Sequence, residues 1–218
     1  MDGRSARKDA NRRLVVDAAF RLFQEGGEAA LTMRRLASEA GVSEATPYNL
    51  FGNKTGVLVA MFEDFLANLP GPGAPSGDED PLRDFFHVTD SVARLWSDPS
   101  GLFCGLMAAV MQSGDVPSEL IDRPRRGIGG AIQRLQAAGW VRDSIPAGAV
   151  ADRIAHANAG LFSIWQSGRL TPEELSIELR LNALLPILGA ATDDKRPLLS
   201  ASLEEQLTAH QQATQKKG

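Results

Sequence analysis

Three histidines, His87, His156 and His210, and a single cysteine, Cys104, are the side chains with the best intrinsic capacity for metal binding or nucleophilic chemistry. The histidines lie far apart in the chain, with none of the close donor spacing that metal sites use. One cysteine closes no internal disulfide, and Cys104 sits in an apolar run where a thiol packs as a small inert hydrophobe. Gly127-Ile128-Gly129-Gly130 follows no strand, so these glycines do not make a phosphate loop, and no Gly-x-Ser-x-Gly elbow occurs. Neither catalysis, nor a metal, nor a cofactor is expected. The chemistry that remains is concentrated between residues 32 and 54, in Thr32, Arg34, Arg35, Ser43, Glu44, Ala45, Thr46, Tyr48, Asn49 and Lys54. Hydroxyls, an amide and cations in one short stretch suit hydrogen bonds to base edges and neutralisation of phosphates.

Such groups act only if short helices hold them. Met33, Leu36, Ala37 and Ala40 recur at i, i+3, i+4 and i+7, one apolar face of a helix. Thr32 stands where a hydroxyl caps that helix, and Gly41 where a left-handed C-terminus favours a residue without Cβ. Ser43 reads as the N-cap of a second helix, with Pro47 early enough in it to cost little. Asn53 caps a third helix that begins at Lys54. Helix, glycine turn and helix make a helix-turn-helix over about residues 33–52, whose second helix enters a major groove. Ala45 and Thr46 are short enough to let that helix lie deep, with Thr46 reaching a base edge. Phe51 reads as a core aromatic wedged between helices.

The run Gly41-Val42-Ser43-x-x-Thr46-x-Tyr48-x-x-Phe51-x-x-Lys54 closely resembles the DNA-binding domain of the tetracycline-repressor (TetR) family. The helix Val15–Phe23 closed by Gly26-Gly27, and the helix after the motif, also fall where that family has them. The resemblance spans roughly residues 9 to 68; beyond it only the architecture is similar. It implies that Tyr48 and Lys54 contact phosphates. Two positions depart from the family pattern: Leu50 replaces a common histidine, and Glu44 a residue that is often basic. A carboxylate there repels phosphates unless it accepts from a cytosine amino group.

The whole chain of 218 residues has a net charge of −4, but the charge is uneven. Residues 1–56 carry nine Lys/Arg against seven Asp/Glu, and the remainder 14 against 20. Only the first part suits phosphates. Residues 1–8, with Arg4, Arg7 and Lys8, read as a solvated mobile arm; the sharper alternative is a basic arm that reaches DNA phosphates or a minor groove. Asp9 would cap helix 1. The N-terminus lacks the apolar core of a signal peptide and no run is long enough to cross a bilayer, so a cytoplasmic protein without a membrane partner is expected.

The architecture expected is all-α, with a three-helix DNA-binding domain over 1–56 and a connecting helix over 57–69. A Pro/Gly-rich linker over 70–81 then leads to a helical regulatory and dimerisation domain over 82–218. Helices are expected at Pro81–Trp96, at Leu102–Met111 (buried on all sides), at 117–138 with a break at Pro124, at 146–166, at 171–191 and at 198–212. The pair 146–166 and 171–191 resembles the helices through which the family dimerises, implicating Ala157, Leu161, Ile164, Leu175, Leu179 and Leu185; an intramolecular core is the alternative. Trp96, Phe103, Met107, Met111, Phe162 and Trp165, with His156 and Asn158 as polar partners, could enclose an apolar effector. The function implied is a homodimeric regulator, most simply a repressor, that binds a double-stranded operator and a small-molecule effector. The competing classes are an enzyme or carrier that retains a DNA-binding module, and a non-specific architectural DNA binder.

Overall fold

A computed structural model describes residues 3–68, 80–114 and 118–215, and ten helices run through them. These are α1 (Gly3–Ala30), α2 (Met33–Ala40), α3 (Ala45–Phe51), α4 (Lys54–Asn68), α5 (Pro81–Trp96), α6 (Leu102–Ser113), α7 (Ser118–Ala137), α8 (Ala147–Gln166), α9 (Pro172–Ala190) and α10 (Arg196–Gln215). Among the described residues the only extended pairing is an isolated antiparallel bridge between Val141 and Ala191. The fold is all-α, as expected. No helix among the described residues is long and apolar enough to cross a membrane.

The chain divides into two compact units. The first holds α1 to α4 and α6, the second α5 and α7 to α10. In the first, Val15, Ala18, Ala19 and Leu22 of α1 are buried, as are Leu36 of α2 and Val57, Leu58, Met61 and Phe62 of α4. Leu14, expected on the α1 stripe, is 47% exposed. The helix starts at Gly3, so residues 3–8 are helical rather than a mobile arm, and Asp9 lies inside it rather than at its cap. Its helical geometry breaks at Gly26-Gly27, where the sequence places an end.

The assignment of α6 differs from a division at 70–81. The Phe103 ring lies 5.9 Å from Phe62 and 5.7 Å from Phe65, both on α4. Gly105 lets α6 come close to α1, because a Cβ there would stand 3.3 Å from the Phe23 ring. Nor is α6 buried on all sides: Phe103, Leu106, Ala109 and Val110 face inward, while Met111 is half exposed. Residues 70–79 of the expected linker lie outside the described residues. Asp80 accepts from the Leu82 amide and Pro81 already opens α5, as an N-cap and first-turn proline should.

In the second unit, one buried cluster joins α5, α7, α8, α9 and the start of α10, with Phe85, Ile132, Leu135, Ile154, Leu184, Ile187 and Leu199 among its members. Thr171 and Glu174 form a reciprocal capping box that sets the start of α9. Arg180 of α9 then binds Asp90 of α5 through two hydrogen bonds of 2.9 and 2.8 Å. That bond to Asp90 raises the already high pKa of Arg180.

Candidate nucleic-acid interface

The motif is built from short-range bonds. The Thr32 hydroxyl accepts from the Arg35 amide at 3.2 Å and caps α2, whose Met33, Leu36, Ala37 and Ala40 are all buried. Gly41 takes φ 67°, and its amide donates to Ala37 and Ser38, ending the helix as expected. The start of α3 differs from expectation. Glu44 stands at its N-cap without a side-chain cap bond, while the Ser43 hydroxyl bonds the Thr46 hydroxyl at 2.8 Å. The two hydroxyls satisfy one another, so neither is spent on an orphan amide. Asn53 does cap α4, accepting from the Gly56 amide at 2.9 Å.

Pro47 is the buried residue of α3, and it fixes which way the helix faces. Glu44, Ala45, Tyr48 and Asn49 are exposed, and Thr46 is half-buried between the two sides. Tyr48, at 56% exposure, presents a large ring with a hydroxyl to solvent. Phe51 is only partly buried rather than a core wedge, and the Arg12 guanidinium lies over its ring at 4.9 Å.

The cations around α3 each meet a carboxylate. Lys54 Nζ lies 2.9 Å from Glu28, Arg35 lies 3.3 Å from Glu25, and Arg34 lies 3.8 Å from Glu44. Side chains of the last pair are 87% and 76% exposed, so the charges are well hydrated. Pairs of this kind contribute about 0–1 kcal/mol, little enough for a phosphate to displace the carboxylate. Sequence reasoning does not find Glu28 or Arg12, because their partners are 26 and 39 positions away and no local spacing links them.

Residues 15–61 match the family model described as "Bacterial regulatory proteins, tetR family". That match runs from α1 into α4 and takes in the whole helix-turn-helix. The HTH-type transcriptional regulator BetI of Rhizobium meliloti (strain 1021) is 40% identical over 58 residues, 27% of this chain and 29% of that protein. The chain thus matches less than a third of that relative's length. SmeT, the repressor of the Stenotrophomonas maltophilia multidrug efflux pump SmeDEF, superposes with a TM-score of 0.59 at 21% identity, covering 84% of this chain and 91% of SmeT. A TetR transcriptional regulator from Agrobacterium tumefaciens gives 0.63 at 21% identity, covering 88% and 98%. SmeT is also solved as a complex with triclosan (0.51, 19% identity, covering 84% and 93%). At these identities the likeness is one of fold.

Within this fold, the eight residues expected to enclose an effector are divided between the two units. Phe103, Met107 and Met111 belong to the first unit, and Trp96, His156, Asn158, Phe162 and Trp165 to the second. In the second, Trp96 packs edge-on against Phe162 with ring centres 4.8 Å apart, and Trp165 Nε1 donates to the Trp96 carbonyl at 3.0 Å. His156 is exposed beside Arg153, and Asn158 accepts from Asn182. A groove of about 530 Å³ in this unit is lined instead by polar and small residues of α7 and α8, Arg125, Gly129, Gln133, Gly148 and Asp152 among them.

The expected dimer residues also divide. Leu161, Leu175 and Leu179 are buried within their own chain, so they build its core and offer no surface to a partner. Ile164 and Leu185 are 44% and 57% exposed, and Ala157 is half-buried. Ala159, Gly160 and Gly189, small and exposed, lie on the same two helices.

Proposed function

We propose that this protein is a sequence-specific transcription regulator of the TetR family, acting as a repressor, that holds a near-palindromic operator with two copies of α3. The observation that carries this reading is the exposed α3 face of Glu44, Ala45, Tyr48 and Asn49, backed by buried Pro47 and flanked by Arg34 and Lys54. In that role Thr46 and Asn49 read base edges, while Tyr48 and Lys54 hold phosphates and set register. One α3 spans too few base pairs for a unique site. A two-fold partner supplies the second half-site about 34–36 Å away. The exposed Ile164 and Leu185, with the small residues around them, support α8 and α9 as the dimer face.

We further propose that a small, largely apolar effector releases the operator. The supports are the Trp96, Phe162 and Trp165 cluster of the second unit and the fold shared with SmeT, which is solved with triclosan. Such a ligand acts only through its differential affinity for operator-bound and free conformers.

The test is a salt-series titration of the protein with the DNA upstream of its own gene against a scrambled duplex. A preference of about 10³ or more, with two protomers per site, is the expected result. Equal affinity for both, and for any duplex recovered by selection from a random pool, would remove the specific-regulator reading.

A further inference from the structure

The first turns of α1 do not serve the core. The helix starts at Gly3, yet from Ser5 onward the first buried side chain is Val15, and Leu14 just before it is half exposed. About ten residues of helix therefore extend with no apolar anchor, although isolated helical turns are marginal in water. What this segment carries is charge: Arg7, Lys8, Arg12 and Arg13 against Asp9.

At 100° per residue, Arg7, Lys8 and Arg12 fall within about 140° of the helix circumference, and Asp9 falls outside that arc. Arg12 fixes where the arc points. Its guanidinium lies over the Phe51 ring at 4.9 Å and 3.7 Å from Glu63 of α4. Phe51 is the last residue of α3, so the extension leaves the domain beside the C-terminal end of that helix. Lys8 lies one turn further out, about 6 Å along the axis.

The pairing pattern separates these cations from their neighbours. Arg12, Arg34, Arg35 and Lys54 each face a carboxylate. Among the described residues, no ion pair involves Arg7, Lys8 or Arg13. Two cations on the helix that carries Arg12 past the C-terminal end of α3 complement a nearby line of phosphates.

We propose that residues 5–13 of α1 form a basic helical strut that binds backbone phosphates of duplex DNA flanking the base pairs read by α3. The proposal rests on α3 being the reading helix. The strut adds affinity without sequence preference, because phosphates are alike at every site. It also sets the length of duplex needed for full affinity.

The test uses the full chain and a duplex selected by the wild-type protein from a random pool, with a scrambled duplex beside it. In the variant Arg7→Gln/Lys8→Gln, affinity for both duplexes is expected to fall by the same factor. The slope of log K against log salt should become shallower by about 0.9 for each phosphate no longer neutralised, up to two phosphates per protomer. Trimming the duplex ends should weaken the wild-type protein and leave the variant nearly unchanged, a readout that needs no mutation in the wild-type arm. An unchanged slope with selective binding intact would overturn the strut alone. A changed preference between duplexes at constant slope would also overturn it, by showing base reading in place of phosphate binding. Failure to select any duplex would remove the α3 reading and the strut with it.

Discussion

In the proposed complex, Lys54 is a phosphate contact that the free protein holds against a carboxylate. Its ammonium sits 2.9 Å from Glu28 at partial exposure, where the pair is worth at most about 1 kcal/mol. Binding a phosphate means giving up this carboxylate first. Glu28→Gln should therefore tighten binding to operator and random duplex alike, by about two- to fivefold, measured by titration at fixed salt. Tightening confined to the operator would mean that Glu28 helps position a base reader. Under the proposed function Thr46 makes the opposite kind of contribution. Its hydroxyl is held by Ser43 at 2.8 Å, so the methyl and hydroxyl are presented in a fixed orientation at the start of α3. Thr46→Ala should narrow the gap between operator and random duplex by roughly tenfold, because a good base-edge interaction is worth about 1–3 kcal/mol of discrimination. Lys54→Ala should weaken both alike and flatten the salt dependence by about one unit. Identical profiles for these two variants would defeat the assignment of base reader and phosphate clamp.

At the scale of elements, the turn between α2 and α3 is where sequence and structure agree most closely, and the reason is range. A Thr cap, an apolar stripe and a left-handed glycine each act within four residues, so their spacing in the chain is their geometry. Gly41 at φ 67° is the strict member. Gly41→Val should cost about 1–2 kcal/mol in chemical denaturation, whereas Gly41→Asn, whose side chain tolerates this conformation, should cost clearly less. Equal losses would mean that space, rather than backbone conformation, selects glycine; yet nothing stands within 4 Å of a Cβ built there. Elements fixed by distant partners are less legible. The apolar composition of α6 suggests burial all round, but composition does not name a partner. Only the packing of Phe103 against Phe62 and Phe65, some forty positions away, places α6 beside α4. Ser43 fails as a cap for a local reason: a hydroxyl three residues ahead, Thr46, competes for it.

For the molecule as a whole, the question the sequence leaves open is which leucines of α8 and α9 are core and which are surface. Leucine carries the same hydropathy everywhere, and periodicity shows a stripe without showing what covers it. Here α9 is covered by both α5 and α10, so Leu175 and Leu179 are fully enclosed, while Leu185 on the same helix is 57% exposed. This difference yields a contrast that dimerisation must obey. Leu179→Ala removes a buried side chain and should destabilise the fold by about 2–5 kcal/mol at any protein concentration. Leu185→Glu combined with Ile164→Glu places charges on positions already in water, so the fold of a single chain should survive with its helical content intact. If α8 and α9 pair across a two-fold axis, those charges meet their own copies in an apolar interface. Sedimentation should then show monomers at concentrations where the wild-type protein is dimeric. Operator affinity should fall steeply in parallel, since each monomer keeps only one half-site, while binding to random duplex changes little. A Leu185→Glu/Ile164→Glu protein that remained dimeric and bound its operator normally would place the two-fold interface on another surface.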